Sequence, residues 1–225
     1  MSTIERVTRE NNRLFLIELA VILLLFVADV YGYVPFSKTP FLFALAWISL
    51  RTRGFRWRDV GFDAPTSWGA AIGIGVVAGI AMSALELFVT QPLLTATLKQ
   101  PPDLSEFAGI AGDPAAFAVV LAIVWILAAV GEELVYRGYL MTRFARLLNG
   151  TPTAWALSLV VVSALFGFSH FGQGITGVLE NVIAGLLLGG LYLATGRNLV
   201  APILAHGVAN TVDLTLIFLG KYPGM

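Results

Sequence analysis

Seven apolar stretches, separated by proline, glycine or charged residues, make up most of this 225-residue chain. A helix needs about 20 apolar residues to cross a bilayer, and short connections can join successive crossings. The stretches lack the period-2 alternation that a transmembrane β-barrel requires. The pattern predicts an all-α fold, a polytopic transmembrane helical bundle of about seven helices, or eight if one stretch is divided. The stretches lie at roughly residues 14–31, 34–50, 67–90, 114–148, 152–169, 173–195 and 199–219.

The composition supports a membrane protein. Apolar residues make up 57% of the chain and charged residues 12%, whereas soluble domains have about 45–50% and 25%. The formal net charge is +0 and no basic run occurs, so we expect membrane lipid and no nucleic acid as a partner. The sequence has no cysteine, which excludes thiolate zinc ligands and a cysteine nucleophile.

Connections and orientation follow from the polar residues. Loops are predicted at residues 51–67 and 91–113, where proline, glycine and charged residues cluster. The stretch at 114–148 is too long for one simple crossing, so it is either one long tilted helix or two segments joined near Gly131. A cytoplasmic N-terminus places all but three of the 14 Lys and Arg residues on the inner side, as the positive-inside rule requires. The exceptions are Lys38, Lys99 and Lys221.

Two adjacent acids lie in the fourth apolar stretch. Each carboxylate in an apolar helix costs about 2.5–3.5 kcal/mol on insertion scales, so Glu132 and Glu133 need an explanation. Glu133 and Arg137 are four residues apart with the acid first, the favourable order for an ion pair. Successive helical residues point about 100° apart, so Glu132 faces elsewhere. A structural ion pair with one interfacial acid would also explain the pattern.

The only two histidines, His170 and His206, both fall in apolar stretches that we expect to be helical. A single membrane histidine commonly serves as an interhelical hydrogen-bonding group. His206 and Asn210, however, are four residues apart and project from one helix face. Asp213, seven residues beyond His206, lies on nearly the same face and is a candidate for orienting its ring.

These residues resemble the motifs of the CPBP intramembrane proteases, which include the type II CAAX prenyl endopeptidases and bacterial relatives linked to bacteriocin handling. The resemblance covers roughly residues 119–219. It divides the chain into N-terminal helices and loops at 1–113 and a catalytic helical core at 114–225. The best-known CAAX enzymes of the family have eight spans, one more than expected here. The motifs are EExxxR at Glu132, Glu133 and Arg137, FxxxH at Phe166 and His170, and HxxxN at His206 and Asn210.

The resemblance implies an endopeptidase whose catalytic residues are Glu132, Glu133, Arg137, His170, His206 and Asn210. Glu132 with His170 would activate water, and His206 with Asn210 would stabilise the oxyanion. We favour a site without a cofactor. Zinc is the alternative, because two histidines and a glutamate form many catalytic zinc sites, and its ligands would be Glu132, His170 and His206.

The expected substrate is a membrane-associated peptide or a lipidated protein, because an intramembrane site excludes most soluble chains. The expected location is a prokaryotic cytoplasmic membrane, with the N-terminus in the cytoplasm. Two other functions are compatible with the same residues: a non-catalytic scaffold or immunity factor of this fold, and a small proton-coupled transporter. Other acids in or near the stretches belong to no motif and are expected to be structural, namely Glu18, Asp29, Glu86 and Glu180.

Overall fold

The computed structural model describes residues 3–223, with side chains from residue 13 onward, and this part of the chain contains helices and turns but no strand. Where helical segments adjoin without a break they form one continuous helix, and the described chain then has seven long helices. The prediction of an all-α bundle of about seven helices is confirmed. The helices are α1 (Thr3–Val30), α2 (Thr39–Thr52), α3 (Trp68–Leu98), α4 (Pro114–Leu147), α5 (Pro152–Phe168), α6 (Phe171–Ala194) and α7 (Val200–Phe218).

Four of these helices, α3, α4, α6 and α7, are long and apolar enough to cross a membrane, and α5 is a shorter apolar helix. Large apolar side chains on several helices point away from the bundle. Leu24, Val77 and Ile126 are each about two-thirds exposed (67%, 68% and 65%). In water such a surface would be unfavourable, whereas in a bilayer it contacts lipid. The chain is an integral membrane protein.

The fourth apolar stretch forms one helix of 34 residues, α4, and not two. Much of it has the wider π-helical hydrogen bonding, in Val124–Glu132 and again in Leu134–Met141. π-Helical turns are rare, and they occur often at functional sites. The two π segments meet at Glu132 and Glu133, so the irregular backbone coincides with the paired acids.

The predicted loop at 91–113 begins eight residues later than expected, because Gln91–Leu98 continues α3. The proline at position 92 suggested an end to the helix. A π-helical turn at Glu86–Thr90 precedes it, in which the Gln91 N–H donates to the Glu86 carbonyl. Pro92 therefore stands at the start of a new helical segment, where its missing N–H is tolerated.

Small residues allow close approach between helices. A side chain at Gly79 would lie 2.6 Å from the Ala205 carbonyl oxygen, so α3 packs directly on α7. A side chain at Gly185 would lie 3.0 Å from Ser163, so α6 packs equally closely on α5. α4 contacts α2, α5 and α7. The bundle therefore surrounds the segment of α4 that carries the two acids.

Candidate active site

A cavity of about 320 Å³ opens among the helices next to the paired acids. Four of the predicted site residues line it together, although they come from different parts of the chain: Glu132, His170, His206 and Asn210. The remaining two, Glu133 and Arg137, are completely buried, with exposed side-chain fractions of 0% and 1%. The predicted site is thus divided into residues that face the cavity and a pair behind them.

Glu132 has an incompletely satisfied carboxylate. Its Oε1 accepts a hydrogen bond of 3.4 Å from the Thr39 hydroxyl of α2, and its Oε2 is buried without a partner among the described residues. The neighbouring Gly131 has no side chain, and one there would meet the Thr39 methyl group at 2.9 Å. Gly131 therefore allows α2 to come close enough for Thr39 to reach Glu132.

Glu133 joins two motifs through hydrogen bonds. Its Oε1 accepts from Arg137 Nη1 at 2.7 Å, as the spacing of four residues predicted, and from His206 Nδ1 at 2.9 Å. Because the same oxygen already accepts from Arg137, it is an acceptor in the second bond too, and Nδ1 of His206 is the donor. Glu133, not Asp213, therefore orients the His206 ring. In the neutral ring, Nε2 is then an acceptor.

His170 lies in the turn between α5 and α6, and not within a helix as expected, because α5 ends at Phe168. Its ring folds back toward α5, and its Nδ1 lies 2.8 Å from the Phe166 carbonyl oxygen. A carbonyl oxygen accepts but cannot donate, so Nδ1 carries the hydrogen. Nε2 is therefore an acceptor in the neutral ring, and it has no hydrogen-bond partner among the described residues.

Phe166 holds the two histidines in place. Its ring centroid lies 4.9 Å from that of His170 and 6.0 Å from that of His206, both edge-to-face. The Arg137 guanidinium stacks over the same ring, 4.4 Å from its centroid. Such contacts between aromatic rings and cations are favourable when they are shielded from water. The phenylalanine of the second motif thus packs against residues of all three motifs.

Asn210 is half-buried one turn beyond His206 on α7, and its side chain has no hydrogen-bond partner among the described residues. An amide carries two donor hydrogens and an acceptor oxygen. It can therefore donate to a group that enters the cavity. Asp213 also lines the cavity but has no bond to His206, so it does not have the orienting role that the sequence suggested.

The donor types suit zinc, but their arrangement does not. Zinc needs at least three ligand atoms that converge at about 2.0–2.2 Å from one point. In the part of the chain that the structure describes, no group of three His, Asp or Glu residues is placed to hold a metal ion. Glu132, His170 and His206 share a cavity without forming such a ligand set.

Thr39 was not identified from the sequence as a site residue. A threonine that begins a short helix carries no motif, and its partner Glu132 lies 93 positions away. The acids Glu86 and Glu180 were assigned structural roles, yet both line the same cavity. Their position within apolar stretches was the signal that could have identified them.

Comparisons with known proteins agree with the motifs. Residues 114–212 match the family model described as "Type II CAAX prenyl endopeptidase Rce1-like". No curated protein matches the chain, and no solved structure matches it. The matched segment contains all six predicted site residues, and the resemblance to this family of proteases is confirmed. Residues 114–212 of this integral membrane protein are therefore similar to the Rce1-like type II CAAX prenyl endopeptidases.

Proposed function

We propose that the protein is an intramembrane endopeptidase that hydrolyses a membrane-associated or lipidated peptide, with Glu132 and His170 activating water. The main support for this proposal is a pair of hydrogen-bond acceptors that face one cavity and have no donor in the part of the chain that the structure describes. Among the described residues, neither Oε2 of Glu132 nor Nε2 of His170 has a hydrogen-bond partner, and both residues line one cavity. A water molecule has two hydrogens to donate, and two acceptors would hold it with an oxygen lone pair directed at the substrate.

In the proposed reaction, the water oxygen attacks the carbonyl carbon of the scissile peptide bond while Glu132 accepts a proton as general base. The electron pair of the carbonyl bond moves onto its oxygen. When the tetrahedral intermediate collapses, the C–N bond breaks and the proton passes to the leaving amine. The products are a new carboxylate and a new amino group.

The negatively charged oxygen of the tetrahedral intermediate, the oxyanion, needs hydrogen-bond donors. The Asn210 amide supplies one without any change of protonation. His206 supplies a second when its Nε2 also carries a proton, because Nδ1 already donates to Glu133. The buried Glu133 carboxylate, which also pairs with Arg137, would keep accepting the hydrogen bond from Nδ1 of this doubly protonated ring. Glu133 and Arg137 thus act through His206 and do not touch the substrate.

The location of the site supports a lipidated or membrane-bound substrate. The cavity lies among helices whose outer surface contacts lipid, and the matched family model is named for prenylated CAAX proteins. A substrate already anchored in the bilayer is concentrated at such a cavity. The proposed reaction does not use zinc.

The test uses the full chain purified in detergent, with an internally quenched farnesylated peptide in heavy-oxygen water. We expect cleavage, with one heavy oxygen in the new carboxylate by mass spectrometry. His170→Ala should abolish cleavage. Asn210→Ala should lower kcat by about 10²–10³, as for loss of one oxyanion donor.

The matched control is Asp63→Asn, which removes one exposed charge in the loop before α3 and should retain the wild-type rate. If wild-type protein binds the peptide but releases no product, or if His170→Ala cleaves as fast as wild type, the proposal is wrong.

A further inference from the structure

Three carboxylates on the long helices face the proposed catalytic cavity and have no part in the proposed reaction. Glu86 lies on α3, Glu180 on α6 and Asp213 on α7, and all three line the cavity with Glu132. A second, smaller cavity of about 60 Å³ is lined by Glu86 and Glu180 together with His206 and Asn210. The three acids, here called the acidic cluster, therefore adjoin the predicted oxyanion donors.

Glu180 is the member of the acidic cluster that most needs a partner. Its side chain is only 8% exposed, and its Oε1 has no hydrogen-bond partner among the described residues. Oδ1 of Asp213 is also buried and unpartnered. Glu86 is partly satisfied, since its Oε1 accepts a bond of 3.1 Å from the Tyr222 hydroxyl. Buried carboxylates without donors are costly, so their retention requires an explanation.

Two acids of the first apolar stretch are each paired with a basic residue. Glu18 pairs with Arg53 at 2.7 Å, and Asp29 pairs with Lys38 at 2.8 Å. The acidic cluster has no ion pair among the described residues. The lining of the cavity contains five carboxylates, because Glu106 and Glu132 also face it, but no Lys or Arg among the residues described. The cavity thus presents several carboxyl groups and no Lys or Arg side chain from the described residues.

An organic cation suits this arrangement better than a metal ion does. A divalent ion needs several oxygen atoms converging at about 2.0–2.6 Å. No group of three acids or histidines in the described part of the chain is placed to do so. An ammonium or guanidinium group instead donates three or five hydrogen bonds in different directions. It can therefore bridge carboxylates that stand on separate helices.

We propose that the acidic cluster is a substrate subsite that binds a Lys or Arg side chain of the peptide. This inference rests on the proposed peptidase function, whose cleavage residues lie in the same cavity. The cation enters with the substrate and forms ion pairs with Glu180 and Asp213, which have none among the described residues.

The position of the cluster indicates where that side chain lies in the substrate. Asp213 is seven residues beyond His206 on α7, about 10 Å along the helix axis. An extended peptide spans about 3.3 Å per residue, and the stem of a lysine adds further reach. The basic residue should therefore lie one to three positions from the scissile bond.

The test compares farnesylated peptides that differ at one position. Lysine, norleucine and glutamate are placed in turn at each of three positions on either side of the scissile bond. Norleucine keeps the aliphatic stem of lysine without its charge. At one position or more we expect kcat/KM for lysine to exceed that for norleucine by at least about tenfold, with glutamate the poorest of the three. Equal kcat/KM values for lysine and norleucine at every position would overturn the inference. The peptidase function would still stand in that case, because the peptides would have been cleaved.

Variants then assign the preference to the acidic cluster. Glu180→Gln combined with Asp213→Asn should reduce the ratio of lysine to norleucine to near one, and Asp63→Asn should preserve the wild-type ratio. A preference that survives the double substitution would also contradict the inference.

Binding separates the two hypotheses. Glu132→Gln lacks the proposed base but keeps the acidic cluster, so it should bind the lysine peptide at least about tenfold more tightly than the norleucine peptide. If no peptide is cleaved but this difference in Kd is present, the peptidase function fails and the cationic subsite stands. Equal affinities would refute the subsite independently of catalysis.

Discussion

Glu132 and Glu133 are neighbours in the chain, but their surroundings differ. Glu132 faces the cavity. One of its carboxylate oxygens accepts a single long hydrogen bond, and the other has no partner among the described residues. Glu133, in contrast, is fully buried between Arg137 and His206. Loss of one member of a buried ion pair leaves the other charge uncompensated, which costs about 3–5 kcal/mol. The two positions should therefore respond differently to the same substitution.

Glu132→Gln should abolish cleavage and leave the thermal unfolding temperature in detergent near the wild-type value. Glu133→Gln should lower that temperature by several degrees, because Arg137 loses its counter-charge. It should also slow cleavage, because the His206 ring loses its charge partner. Differential scanning fluorimetry and the peptide assay on the same samples would measure both effects. Equal unfolding temperatures for the two variants would contradict the assigned roles.

Metal content is a separate prediction at the residue scale. Because Glu132, His170 and His206 share a cavity without forming a three-ligand set, we expect no stoichiometric zinc in active protein. Activity should also survive prolonged chelation. Elemental analysis of the sample used for the peptide assay is the measurement. One zinc per chain, lost together with activity and restored with it, would show a metal enzyme instead.

Local spacing predicted some of these contacts and not others. Glu133 and Arg137 are one helical turn apart, so their pairing follows from the sequence. The bond between Glu133 and His206 joins residues 73 positions apart. It depends on how α4 and α7 are rotated against each other, which no local pattern specifies. His170 was placed within a helix because apolar residues surround it, although the helix ends two residues earlier.

At the scale of helices, the close packing of α3 on α7 at a glycine can be tested with a matched pair of substitutions. A side chain at Gly79 would meet backbone and side-chain atoms of α7 at 2.6–2.7 Å, whereas one at Gly73 would meet nothing within 4 Å. Gly79→Val should cost about 1–3 kcal/mol through overpacking. Because α7 carries His206 and Asn210, it should also reduce cleavage.

Gly73→Val is the control on the same helix and should leave both unfolding temperature and cleavage rate near wild type. Thermal unfolding in detergent and the peptide assay test the pair. A similar loss in both variants would mean that valine itself, and not contact with α7, disturbs α3.

Most helix boundaries were predictable, because apolar stretches and their proline, glycine and charged ends carry the information. The end of α3 was not. Pro92 usually marks a helix boundary, but the preceding π-helical turn at Glu86–Thr90 lets the helix continue to Leu98. π-Helical hydrogen bonding has no recognised sequence pattern, so the long π segments of α4 were equally unpredictable.

For the whole molecule, the distribution of basic residues predicts a topology that the fold leaves open. We expect residues 51–67 on the cytoplasmic side and residues 91–113 on the opposite side. The absence of native cysteine makes site-specific labelling direct. In spheroplasts, a membrane-impermeant maleimide should label Ser105→Cys at once and Thr66→Cys only after lysis. The reverse pattern would invert the orientation.

The walls of the catalytic cavity come from both parts of the chain. The family match begins at residue 114, yet Thr39 of α2 contacts the proposed base and Glu86 of α3 belongs to the acidic cluster. Part of the proposed peptide-binding surface is therefore encoded outside the segment that carries the proposed cleavage residues. Substitutions of α3 at the acidic cluster are expected to change which peptides are bound while the proposed cleavage residues are retained. Exchange of residues 1–113 between members of the family is consequently a route to altered specificity.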